Sequence, residues 1–236
     1  MSGTQFAGLP GNKPFKERHS IADQITDTLR DSIRNGTLAD GTELNQVALS
    51  KHFGVSRVPV REALRALEVE GWITAPTHYR ALVQGLSVAR IEEIFELRTL
   101  IEVHLIGKAV PNTTSGRIAD LKARCSAMDR IRDHDEWLSA NRAFHRALLE
   151  PSGSDMMIDM LEQLSAQPER YLQVRNAGQD RQTVAGAEHR AIVAAAAKGD
   201  VVQARKLIRA HIAQTRAAIL AAVSILRSAE TQREKR

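Results

Sequence analysis

The sequence contains one cysteine, Cys125, in 236 residues. That excludes an internal disulfide framework and a multi-cysteine zinc finger. Only nine residues are aromatic, while Ala, Leu, Ile and Arg are abundant, so a helical protein is expected. No apolar run approaches the roughly 18–20 residues that a membrane-spanning helix needs. Residues 1–16 lack the apolar core of a secretory signal. A cytoplasmic address without a membrane partner is the simplest reading. Charge is not concentrated either. Residues 1–85 carry 10 basic and 9 acidic side chains, and residues 86–236 carry 23 and 19. The overall +5 permits a polyanionic partner, but bulk charge does not locate where one would bind. What is present is ordinary for a folded globular chain: 43% hydrophobic and 26% charged residues, enough apolar material to offset chain entropy.

Residues 1–18 are rich in Gly, Pro and Lys without a period and read as a flexible lead-in. Ser20 is a suitable N-cap, and Ile21, Ile25, Leu29 and Ile33 then recur at every fourth residue, which predicts an amphipathic helix ending near Asn35-Gly36. A short extended piece over 37–44 follows. Asn45 caps a second predicted helix, which Gly54 breaks. Ser56 caps a third over 57–70, which Gly71 ends. Residues 71–75 and 81–83 read as a hairpin about a turn at 76–80. Helix, helix, Gly-containing turn, helix, hairpin is the order of a winged helix-turn-helix over 19–85. Leu49, Val55, Val60, Leu64 and Leu67 are spaced to fill its core. From Ser87 onward no strand pattern returns. Apolar residues recur at helical spacing through 87–109, 115–132, 135–149, 154–176, 183–198 and 201–228. The breaks carry turn chemistry: Pro111-Asn112, Asp133-His134, Pro151-Ser152-Gly153, Gly178 and Gly199-Asp200. The fold class is therefore mainly α: an N-terminal winged helix-turn-helix, then an antiparallel six- or seven-helix bundle over 86–228 with its own core, and a charged tail over 229–236.

The third predicted helix opens on a hydroxyl cap and free backbone N–H groups, which suit a phosphate. Arg57 and Arg61 lie four apart and project from one face. Such arginines can fork onto guanine in the major groove or clamp a phosphate. Pro59 sits in the first turn, where its missing N–H costs nothing. The acids Glu62, Glu68 and Glu70 fall mostly toward the far end, so the leading end is basic. Arg65 on the same helix, and His78 and Arg80 at the wing tip, complete the candidate DNA-contacting set.

The run Val55-Ser56-Arg57-x-Pro59-Val60-Arg61-Glu62-Ala63-Leu64, followed by Leu67-x-x-x-Gly71-Trp72-Ile73, resembles the signature of the GntR family of bacterial transcription regulators over about residues 20–84. The resemblance implies that Ser56, Arg57 and Arg61 meet double-stranded operator DNA and that the protein acts as a homodimer. Two positions depart from the pattern. Position 58, often a hydroxyl residue, is valine, and the wing tip lacks the glycine often found there.

The second region holds His104, His134, His145, His189 and His211. A lone helical histidine is ordinarily a packing or surface residue. Asn141 and His145, however, lie four apart and can face one point. His189 begins one helix and His211 sits among apolar residues on the last. If the three helices surround one cavity, three imidazoles and an amide oxygen converge, a set suited to a transition-metal ion with open positions. Asn141-x-x-Phe144-His145-x-x-Leu148, Ser152-Gly153, Glu188-His189-x-x-Ile192, Gly199-Asp200-x-x-x-Ala204 and His211-Ile212 together resemble the FCD effector domain of the FadR branch of that family, over about 90–225. The resemblance implies a divalent metal, zinc or nickel, on Asn141, His145, His189 and His211. Asparagine stands where the family often has aspartate, which removes a negative charge and weakens the site. It also implies that Arg98 faces a small carboxylate effector, which a guanidinium binds bidentately; the alternative is a surface salt bridge with Glu102 of little worth. Tyr171 and Arg175 are counted with Arg98 as effector-binding candidates. Cys125 reads as a buried apolar residue.

Three functions follow from this reading. The first is a transcription regulator whose operator affinity answers to a small organic acid: a sugar acid, hydroxy acid or dicarboxylate. The second is a metal-dependent helical-bundle enzyme, disfavoured because no Glu-x-x-His pair occurs among the ligand candidates and no carboxylate base is placed by the spacing. The third is an effector-independent DNA-binding protein, which would leave a large second domain with a polar interior unexplained.

Overall fold

The computed structural model describes residues 20–34, 36–77, 80–173 and 177–234. The N-terminal lead-in and the candidates His78 and Arg175 lie outside them. Ser20 and Asp23 cap the first helix reciprocally, each backbone N–H bonding the other's side chain at 2.9 and 3.1 Å. That helix, α1 (Ile21–Arg34), buries Ile25, Leu29 and Ile33 but leaves Ile21 exposed. Next come β1 (Glu43–Asn45), α2 (Gln46–Phe53), α3 (Arg57–Val69), β2 (Ile73–Thr77) and β3 (Arg80–Val83). The strands form one antiparallel sheet in the order β1-β3-β2. Gly54, at φ +66°, closes α2 and turns the chain into α3; only a residue without Cβ adopts this left-handed conformation at little cost. The second strand starts two residues later than the sequence pattern predicts, because Gly71, at φ +75°, belongs to the turn that ends α3. Ile25, Leu29, Val60, Leu64, Leu67, Trp72 and Ile73 make the core of this head.

After Val83 the chain crosses to six further helices: α4 (Val88–Ala109), α5 (Ser115–Met128), α6 (His134–Leu149), α7 (Asp155–Glu169), α8 (Ala177–Ala197) and α9 (Val201–Glu234). They enclose a second core around Ile91, Phe95, Leu105, Phe144, Ile192 and Ile208, with Cys125 buried in it. Several boundaries differ from the sequence pattern. The helix expected over 115–132 ends at Met128. The helix expected from 183 begins at Ala177, so Gly178 lies inside it instead of breaking it, and His189 falls well within α8 and not at its start; a single glycine lowers helix stability by only about 1 kcal/mol and does not by itself end a helix. The helix expected over 154–176 ends at Glu169 and passes into a 3-10 turn, Arg170–Gln173. Pro168 lies in its last turn, where the missing N–H and the ring's clash with the preceding turn stop an α-helix. The last helix runs six residues beyond 228, into the charged tail.

Candidate functional site

The helices of the second domain bring three histidines to one point. His145 comes from α6, His189 from α8 and His211 from α9. Their ring centroids form a nearly equilateral triangle of 5.2, 5.0 and 4.9 Å, and one nitrogen from each lies within 4.8 Å of the others. The Nε2 atoms of His211 and His145 are 3.2 Å apart. Two nitrogens each about 2.1 Å from one cation stand about 3.0–3.4 Å apart at octahedral to tetrahedral angles, so this spacing fits a shared ion. Glu188 Oε2 lies 2.7 Å from His211 Nδ1, which leaves Nε2 of that ring facing the His145 imidazole, the arrangement by which a carboxylate orients a ligating histidine. Asn141, one turn before His145, lines the same cavity. Its Oδ1 is buried with no hydrogen-bond partner, an unspent acceptor of the kind a cation satisfies. The donor set therefore fits a divalent ion.

Beside the histidines lies a cavity of about 50 Å3, lined by α4, α6, α7, α8 and α9. Arg98 enters it from α4 and does pair with Glu102 at i+4, with Nε and Nη2 both on Oε1 at 3.1 and 3.0 Å. The pair is not on the surface: the side chains are 7% and 1% exposed. Arg98 Nη1 and Glu102 Oε2 are buried without hydrogen-bond partners, so one donor and one acceptor remain open at the cavity wall. Arg142 and Glu169 form a second ion pair there, at 3.1 Å. Burial raises the Glu169 carboxyl above its ordinary value, and Arg142, Arg98 and Arg34 pull it back down. Tyr171 is buried, but its hydroxyl turns away from the histidines, donating to Asp40 Oδ2 at 2.9 Å and accepting from the Leu86 N–H at 2.8 Å.

Sequence spacing did not find Arg142, Glu169 or the contact of Glu188 with His211. Each of these contacts joins residues on different helices, Arg142 with Glu169 and Glu188 with His211, and spacing within one helix carries no signal of them.

In the head, α3 buries Val60, Ala63, Leu64 and Leu67. The opposite face leaves Ser56, Arg57, Arg61 and Arg65 exposed and Pro59 half-buried. Ser56 has the extended backbone of an N-cap, but its side chain makes no capping bond; the hydroxyl expected to close the helix is left for another acceptor or donor. Arg80 is exposed on β3, 3.6 Å from Glu43. Glu70, at the far end of α3, is gripped by Arg30 through two bonds of 2.8 and 2.7 Å, which offsets the charge of an acid at that end of the helix.

The match to bacterial regulatory proteins of the gntR family spans residues 21–83, and that to the FCD domain spans residues 93–214, more than half the chain. The chain belongs to the GntR family and carries an FCD domain. It is 26% identical over 201 residues to the HTH-type transcriptional repressor GlaR of Escherichia coli K12, covering 78% of this chain and 89% of GlaR. It is 28% identical over 160 residues to the HTH-type transcriptional regulator McbR of the same organism, covering 66% and 72% of the two chains. The solved structure of McbR shares its fold, with a TM-score of 0.70 at 23% identity over 86% of this chain and 98% of that one. The gluconate operon transcriptional repressor of Bacillus subtilis is 32% identical over 124 residues, 51% of either chain. This GntR protein is a DNA-binding transcriptional regulator and not an enzyme. Among its described residues no helix is long and apolar enough to cross a membrane.

Proposed function

We propose that this regulator senses a small carboxylate in the FCD cavity and changes operator affinity in response, acting as a cytoplasmic homodimer on double-stranded DNA. The observation that carries the reading is the joining of a three-histidine cluster to a buried Arg98–Glu102 pair with one open donor and one open acceptor. A divalent ion, zinc or nickel, would be held by His145, His189, His211 and Asn141, and it supplies a Lewis-acid anchor for a ligand carboxylate. Arg98 Nη1 donates to a second ligand oxygen, and Glu102 Oε2 accepts from a ligand hydroxyl. That pattern suits a hydroxy acid. About 50 Å3 holds on the order of four water-sized groups, which favours a short hydroxy acid or dicarboxylate. A six-carbon acid of the kind named for the gluconate operon repressor needs the cavity to widen. Tyr171 is not assigned to the ligand, because its hydroxyl is engaged elsewhere.

In the head, Ser56 and the exposed face of Arg57, Arg61 and Arg65 enter the major groove, with Pro59 at the leading end and Arg80 beside the backbone. Replacing Arg57 or Arg61 by Ala is expected to weaken binding to a fragment from upstream of the protein's own gene by about 1–3 kcal/mol. A gel-shift titration checks this, and unchanged affinity removes the assigned helix. A thermal-shift screen of hydroxy acids, dicarboxylates and sugar acids on zinc-loaded protein tests the sensor. Absence of any shift overturns the carboxylate reading.

A further inference from the structure

The segment that closes the cavity also carries the head. Leu161, Ser165, Glu169 and Leu172 line the cavity from α7 and the turn after it. From the same segment, Ala166 packs against the head core. The Gln167 amide donates to the Glu70 carbonyl at the end of α3. The Tyr171 hydroxyl bridges Asp40, in the loop after α1, and the N–H of Leu86 in the crossing to the sensor. One helix therefore has one face in the ligand space and the other on the DNA-reading domain.

Charge links the two faces. The charged residues lining the cavity balance, with Arg98, Arg142 and Arg146 against Glu102, Glu162 and Glu169. The head adds one more cation at this seam. Arg34, in the last turn of α1, is three-quarters buried, and its Nε is buried with no hydrogen-bond partner. Burial lowers its pKa first and repulsion from Arg142 second, while Asp31 and Glu169 oppose them. Its partner on its own helix, Asp31, is 66% exposed at 3.3 Å, and solvent screens most of that pairing. Docking the head thus adds positive charge beside Arg142, and an anion in the cavity offsets it.

We propose that this seam is a clasp coupled to the cavity: a carboxylate bound beside Arg142 favours the docked head, and the Tyr171 hydroxyl between Asp40 and Leu86 holds it docked. Linkage makes the effect reciprocal, so Arg34, a head residue outside the cavity lining, raises the affinity of the sensor for its acid. The inference rests on the reading of the cavity as a carboxylate site.

The test uses the full zinc-loaded chain, with lactate, malate and gluconate as probes. Affinity is measured by calorimetry, and exchange of the Leu86 amide proton by residue-resolved hydrogen exchange. Arg34→Gln is expected to weaken the tightest of the three acids at least about fivefold, the lower range of allosteric coupling. Lys51→Gln, which removes the same charge from an exposed position of the head, is expected to leave that affinity unchanged. The acid is expected to slow Leu86 exchange in the wild type. In Tyr171→Phe, which lacks the acceptor, exchange is expected to be fast with or without acid while the α9 amides keep their rates. An acid that binds without sensing Arg34→Gln, or without slowing Leu86 exchange, overturns the clasp and leaves the carboxylate reading intact. Failure of all three acids to bind overturns both. If Arg34→Gln does not fold, the exchange measurements on wild type and Tyr171→Phe decide.

Discussion

His211 is held from both sides, by the Glu188 carboxylate at Nδ1 and the His145 ring at Nε2. A carboxylate on the far nitrogen of a ligating imidazole fixes the ring and its tautomer. Glu188→Ala is therefore expected to lower zinc affinity about 10–100-fold while the helices remain folded, which competition against a chelating dye measures. Equal affinity would make the contact incidental. The buried Arg98–Glu102 pair makes the opposite kind of demand. Truncating Arg98 to Ala leaves a carboxylate that is 1% exposed without its cation. The expected loss is about 3–5 kcal/mol in urea unfolding, and replacing both residues by apolar ones of similar volume is expected to cost much less. A small loss from Arg98→Ala alone would mean that the pair contributes little to the stability of the fold. The i,i+4 spacing of this pair was legible in the sequence. Its burial was not, because burial depends on which helices pack over that face of α4.

At the scale of elements, the reading head is built by local chemistry. Asn45 Oδ1 accepts from the N–H groups of Val47 and Ala48 at 2.9 and 3.1 Å, which starts α2 one residue after the strand ends. Asn45→Ala is expected to cost about 1 kcal/mol, seen as a lower midpoint for unfolding of the head, with a matching loss of operator affinity only near that midpoint. Gly54 and Gly71 close α2 and α3 by the backbone conformation that glycine adopts readily, and both were readable as punctuation. The end of α7 was not. Apolar spacing continues past Pro168, and periodicity alone does not register that a proline has replaced a hydrogen-bond donor. The consequence reaches the head, because the 3-10 turn after it carries the Tyr171 hydroxyl to Asp40.

At the scale of the molecule, the head and the sensor have separate cores joined through a seam on α7. A metal that binds only the folded sensor stabilises that core and not the other. Occupancy at about 100 times the dissociation constant is worth about 2.7 kcal/mol. Chelation is thus expected to lower the unfolding midpoint of the sensor while far less changes in the head, which scanning calorimetry of the zinc-loaded and stripped full chain would resolve. Equal shifts in both transitions would mean that the seam makes the two domains one cooperative unit.

Period and punctuation along the chain determined most of the helices, the hairpin and the basic leading end of α3, because each is written in residues at most a few positions apart; the three histidines, far apart in sequence, were marked only by the family resemblance. Convergence of His145, His189 and His211, the burial of Arg98, the role of Glu188 and the turning of Tyr171 toward the head were decided only by tertiary packing. Each depends on the angle and register at which separate helices meet, and no spacing within one helix encodes them.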